Sequence, residues 1–198
     1  LEAVYEEKNM SLTRDNSKVQ EAIFSSLFPK HPYGTQTVLG TQENLKNPSI
    51  TNIKNYYKQW YVPNNMAICM SGDLDPDATI ALIDKYFGGL KPNPELPKLD
   101  LPKEAPITQP VVKEVLGPDA ESVALAWRFP GVSDKDFEIL QVVSQVLYNG
   151  KAGLIDLDLN QQQKVLNSYG YPMGLADYSA LLLGGLPKQG QTLEEVKD

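Results

Sequence analysis

The chain has 198 residues, enough to bury a real core in one large domain or two small ones, and its 41% hydrophobic and 22% charged residues are ordinary for a globular protein. Eighteen basic against 25 acidic side chains leave a formal charge of −7, which argues against a nucleic-acid partner or an anionic membrane surface. A single cysteine excludes an internal disulfide, and no stretch is long and apolar enough for membrane insertion as a helix.

From Leu1 to Leu12 little opposes a helix, with Leu1, Val4, Lys8 and Ser11 on one side. Arg14-Asp15-Asn16 interrupts it. Asn16 or Ser17 then caps a second helix whose buried stripe is Val19, Ile23, Phe24 and Leu27. Pro29 to Gly34 (PKHPYG) ends that helix, and a loop runs through Gly40. Pro48 to Gly72, PSITNIKNYYKQWYVPNNMAICMSG, is the most legible stretch. Ser49 is an N-cap, and Ile50, Ile53, Tyr57 and Trp60 recur at helical spacing. Val62-Pro63-Asn64-Asn65 stops the helix, and Met66 to Met70 reads as a short strand covered on both faces. Asp75-Pro76 opens another helix with Ile80, Ile83 and Phe87 on its apolar face, closed by Gly88-Gly89.

Lys91 to Pro110 holds six prolines and no hydrophobic periodicity, so a domain boundary is placed inside it. Beyond it, Val111 to Leu116 and Ser122 to Phe129 read as strands, the second alternating Val123, Leu125 and Trp127 with Ala124, Ala126 and Arg128. Ser133 or Asp134 caps a helix carrying Phe137, Leu140, Val143 and Leu147. Leu154 to Val165 reads as a more polar helix, Ser168 to Met173 and Ser179 to Leu186 as strands, and Thr192 to Glu195 as a capping box. The opening Leu1-Glu2-Ala3 and the helix start just before Asp198 lead us to expect an internal fragment of a longer polypeptide.

Taken singly, the chemical candidates have bland readings. His31, the only histidine, sits in a proline-flanked loop without a serine or cysteine partner and reads as a turn residue. Cys69 reads as a small buried hydrophobe, and Asp73, Asp75 and Asp77 as a helix cap rather than a calcium loop. Glu6 and Glu7 read as solvated helix residues. No glycine-rich phosphate loop and no Cys/His cluster is present.

The order of the pieces says more. Glu6-Glu7-Lys8-Asn9-Met10, then LFPKHPYG, then VLGTQENLKNPSITNIKNYYKQWYVPNNMAICMSGDLDPD, resembles the insulinase/pitrilysin family of zinc peptidases, which includes the mitochondrial processing peptidases. FPGVSDKDFEILQVVSQVLYNGKAGLIDLDL and PKQGQTLEEV resemble that family's second, related domain. The resemblance implies a zinc bound by an inverted H-x-x-E-H helix plus a later glutamate in an E-E-x-x-M context. Glu7 is the matching position for that third ligand, with Glu6 as the register alternative. One histidine cannot make H-x-x-E-H, so the two His ligands and the catalytic Glu are expected upstream, and no catalytic residue is assigned here.

The expected class is therefore α+β: two related segments, each an antiparallel-rich sheet covered by helices, joined by the proline-rich linker. Residues 1–92 are expected to be the end of the zinc-ligand-bearing domain, 93–110 the linker, and 111–198 the start of the second domain. The expected function is that of a fragment of a zinc-dependent metalloendopeptidase using a metal-activated water. Alone it would be inactive, binding no zinc. The alternative is a fragment of a non-catalytic homologue acting as a partner subunit or peptide-binding scaffold. Expected partners are a peptide substrate and the rest of the polypeptide or a homologous subunit. Short polar turns without a disulfide suggest the bacterial periplasm or envelope.

Overall fold

The computed structural model describes residues 1–198. Helices α1 (Glu2–Thr13), α2 (Asp15–Leu27), α3 (Pro32–Thr35), α4 (Gln42–Lys46), α5 (Ile50–Trp60) and α6 (Pro76–Phe87) precede strand β1 (Val123–Pro130). Helix α7 (Lys135–Leu147), strands β2 (Asn167–Gly174) and β3 (Tyr178–Leu186), and helix α8 (Leu193–Lys197) follow. The class is α+β, with one three-stranded antiparallel sheet in the order β1-β3-β2. The chain forms two compact units, Leu1–Glu6 with Leu39–Pro102, and Glu7–Val38 with Lys103–Asp198. Residues 7–38 thus group with those after Pro102. The cause is apolar burial: Leu27 and Phe28 at the end of α2 share one core cluster with Ala180 and Leu182 of β3.

In the first unit the caps form as expected. Ser49 Oγ accepts from the Asn52 N–H at 3.2 Å and Asp75 Oδ1 from the Ala78 N–H at 2.8 Å. Asn64 and Asn93 bind reciprocally, side-chain amide to backbone, at 2.7 and 2.9 Å, fixing the turn after α5. The strand expected at Met66 to Met70 is absent. Its side chains are about half exposed, Met66 at 45% and Met70 at 57%, and Cys69 is exposed rather than buried. A strand needs a ladder partner, and this unit contains no other strand. The α5 stripe is likewise uncovered at Ile50, Ile53 and Tyr57, as is α6 at Ile80 and Phe87.

In the second unit β3 is the central strand, pairing Trp127 with Leu181 on one side and Tyr171 with Leu182 on the other. Ser179 to Leu182 are buried in succession because both faces are covered. Ala180 and Leu182 meet α2, with Met173 of β2 beside them. The opposite face meets α7, where Phe137 lies so close to Gly174 that a Cβ there would approach its ring to 2.6 Å. Gly184 lies under its cross-strand partner Tyr169, whose ring would stand 2.2 Å from a Cβ. Two local expectations change here. Val111 to Leu116 forms no strand and is mostly exposed. On α7 the buried positions are Leu140 and Ser144, with Val143 exposed, so the inward face steps by four at that point.

The polar helix expected over 154–165 is replaced by a π-helical turn, Asp156–Asn160, after two helical residues. Gln161 and Lys164 donate to carbonyls five residues back, Asp156 and Leu159. The buried place in this turn goes to the Asp156 carboxylate rather than to a leucine, and Leu154 and Leu157 are exposed. Thr192 and Glu195 form the expected capping box, the Thr192 N–H donating to Glu195 Oε2 at 2.8 Å.

Candidate functional site

Glu6 and Glu7 are both exposed on α1. The next residue, Lys8, is only 6% exposed, and its Nζ donates to Glu21 Oε1 of α2 at 2.7 Å. A helix turns about 100° per residue, so with Lys8 buried Glu7 lies to its side and faces solvent. The Ser11 hydroxyl donates to the Lys8 carbonyl at 2.8 Å, part of the same face. Glu7 is thus an exposed carboxylate on a helix anchored by its neighbour.

His31 is 1% exposed and caps α3, its Nδ1 accepting from the Tyr33 N–H at 3.2 Å. Nδ1 as acceptor leaves the ring proton on Nε2, which has no hydrogen-bond partner and lies 3.6 Å from Asp177 Oδ2. Tyr33 Oη donates to the same Asp177 oxygen at 3.1 Å. Burial, with the nearby Asp177 carboxylate adding to it, raises the Tyr33 phenol above its ordinary range. The imidazole packs among Phe28, Tyr33 and Tyr178. No serine or cysteine hydroxyl or thiol bonds to it, so it has the anatomy of a cap and core residue.

Sequence reading missed the ion pair that adjoins this cluster through Tyr178, whose ring packs on the imidazole and under the Arg128 guanidinium. Glu104 and Arg128 face each other at 3.9 Å with side chains 1% and 9% exposed. Their signals were present: Glu104 is a lone acid between Pro102 and Pro106, and Arg128 occupies a strand position otherwise given to alanine. A second buried acid, Asp156, takes Oδ2 hydrogen bonds from the N–H groups of Asn149, Lys151 and Gly153 at 3.0, 3.2 and 3.1 Å. Burial alone would raise its carboxyl, but the backbone donors outweigh it and hold the pKa below the ordinary 3.8. A shallow hollow of about 340 Å³ adjoins this loop, lined by Tyr148, Lys151, Asp156 and Asn160 among others.

Zinc needs three protein ligands and an open position for peptidase chemistry. No three His, Cys, Asp or Glu side chains of the chain converge to hold a metal ion. The one imidazole is enclosed and its Nδ1 is occupied. The residues present therefore do not make a zinc site by themselves.

Comparison with known proteins gives this geometry its setting. The family model described as "Peptidase M16 inactive domain" matches residues 49–197. The zinc protease PqqE of Helicobacter pylori is 28% identical over 171 residues, covering 83% of this chain and 38% of that protein. A probable mitochondrial-processing peptidase subunit beta of Schizosaccharomyces pombe is 29% identical over 85 residues, 43% of this chain and 18% of its own length. The crystal structure of a protease from Helicobacter pylori matches with TM-score 0.82 at 24% identity over 99% of this chain and 48% of that one. Pitrilysin matches with TM-score 0.69 at 20% identity, over 94% of this chain and 21% of its own. These two structures share the fold, and the chain spans under half the length of each relative. The match over residues 49–197 places the chain in the peptidase M16 family, the insulinase/pitrilysin family of zinc proteases.

Proposed function

We propose that the chain is part of a zinc-dependent metalloendopeptidase to which it supplies one metal ligand, Glu7, and no other catalytic group. The observation that carries this is the exposed Glu7 beside the anchored Lys8 in a chain of the M16 family. In this reading the H-x-x-E-H motif, with two histidine ligands and the catalytic glutamate, lies upstream in the same polypeptide. Zinc held by that motif and Glu7 would supply a Lewis acid able to activate a water and polarise a peptide carbonyl. The residues of this chain hold a carboxylate in place: the Lys8–Glu21 pair fixes α1 on α2 and leaves Glu7 unburied. Glu6 is the alternative ligand one register earlier. Substrates are peptides bound extended, by pairing with a sheet edge.

Further elements of the proposal are a zinc-ligand-bearing domain ending near residue 92, a linker over 93–110, a related domain beginning near 111, and residence in a bacterial periplasm or envelope. A second reading, a non-catalytic homologue serving as partner subunit or scaffold, is favoured by the family model's own description as an inactive domain. Glu7→Gln in the complete protein separates the two. Loss of bound zinc together with peptide hydrolysis supports the ligand role, because two remaining ligands hold zinc poorly. Unchanged zinc content overturns it.

A further inference from the structure

Four stretches remote in sequence meet at the Glu104–Arg128 pair, all within the second unit. Glu104 Oε1 accepts from the N–H groups of Lys30 and His31, each at 2.7 Å, in the turn after α2. Its own backbone N–H donates to Tyr178 Oη of β3 at 2.8 Å. Arg128, from β1, donates through Nη1 to the Leu27 carbonyl and through Nη2 to the Ala105 carbonyl. Its guanidinium carbon lies 5.6 Å from the centre of the Tyr178 ring. Leu27 is the last residue of α2, so this cation satisfies one of the helix's orphan carbonyls at the negative end of its dipole.

A buried ion pair is a poor source of net stability compared with apolar packing, but its directional bonds specify one arrangement over others. Only a planar fork reaches the Leu27 and Ala105 carbonyls at once; lysine keeps the charge and loses the span. The effect continues outward. α2 carries Glu21, which holds Lys8, and Lys8 adjoins Glu7.

We propose that Glu104 and Arg128 are positioning residues: they clasp the end of α2 to the sheet and thereby set the orientation of the turn of α1 that bears Glu7. The clasp stands on the contacts just described; its bearing on metal ligation rests on the ligand role proposed for Glu7.

The test uses the full 198-residue chain with Cys69→Ser, spin-labelled through cysteines at Met10 and Leu166, both exposed and both in the second unit. Double electron–electron resonance then reads the α1-to-sheet distance, and hydrogen exchange reads the amides of residues 27–33. With the native pair a single narrow distance distribution is expected. Arg128→Lys should broaden it visibly and speed exchange of the Lys30 and His31 amides by about tenfold, while the amides of β3 stay protected. An unbroadened distance with exchange within about twofold of native overturns the proposal. Should Arg128→Lys fail to fold, Glu104→Gln, which removes charge and little volume, is read the same way and decides. In the complete protein, Arg128→Lys should also weaken zinc retention. Broadening with zinc retained overturns the link to Glu7 and leaves the ligand role to be judged by Glu7→Gln alone.

Discussion

Asp156 organises a whole loop with one carboxylate. The donors on Asn149, Lys151 and Gly153 leave it little reason to accept a proton, so its stabilising effect is fully present above the ordinary carboxyl value of 3.8 and is lost as pH falls through the lower folded value. Asp156→Asn should therefore lower the melting temperature at neutral pH and flatten its decline below about pH 4, as calorimetry would show. An unchanged acid limb would mean that the carboxylate is not the group holding the loop. Glu195, whose carboxyl is held below its ordinary value by donation from the Thr192 N–H and hydroxyl, acts the same way at the start of α8. Thr192→Ala should cost about 1 kcal/mol, seen as faster exchange of the amides of α8. The capping box was legible because its two residues lie three apart; the donors to Asp156 were not, because backbone N–H groups have no sequence signature.

Among elements, β3 and the end of α2 hold the second unit together. Leu182 is 8% exposed in the cluster with Leu27, Phe28 and Ala180, so Leu182→Ala should destabilise the chain by about 3 kcal/mol in urea denaturation. A cost below about 1 kcal/mol would place the core elsewhere. The stripe on α2 and strands β1, β2 and β3 follow from periodicity and were legible. On α7 periodicity points Val143 inward, one residue out of phase, because hydrophobicity ranks valine above the small Ser144 that the packing accepts. The π-helical turn at Asp156–Asn160 was hidden for a related reason: a buried carboxylate there outcompetes the leucines for the interior. Met66 to Met70 shows what periodicity omits, since an apolar run states a wish for burial without naming the strand to pair with. Its amides should exchange about a hundredfold faster than those of β3 in the isolated chain; equal protection would show that a ladder forms.

At the scale of the molecule, the two compact units cut across the order of the chain, and residues 7–38 fold with a sheet contributed by residues after Lys103. The family was legible from the ordered run of motifs around residues 48–72, which contain no proposed ligand. The candidate ligand came from register alone, and neither Glu104 nor Arg128 was visible as a partner to anything, because their contacts join residues from 23 to 101 apart in sequence. Metal content measures the central proposal most directly. The isolated chain, purified and dialysed against micromolar zinc, should retain no stoichiometric metal, and the complete protein should retain one zinc ion that Glu7→Gln removes. Stoichiometric zinc on the isolated chain, or undiminished zinc in the Glu7→Gln protein, would contradict the role assigned to Glu7.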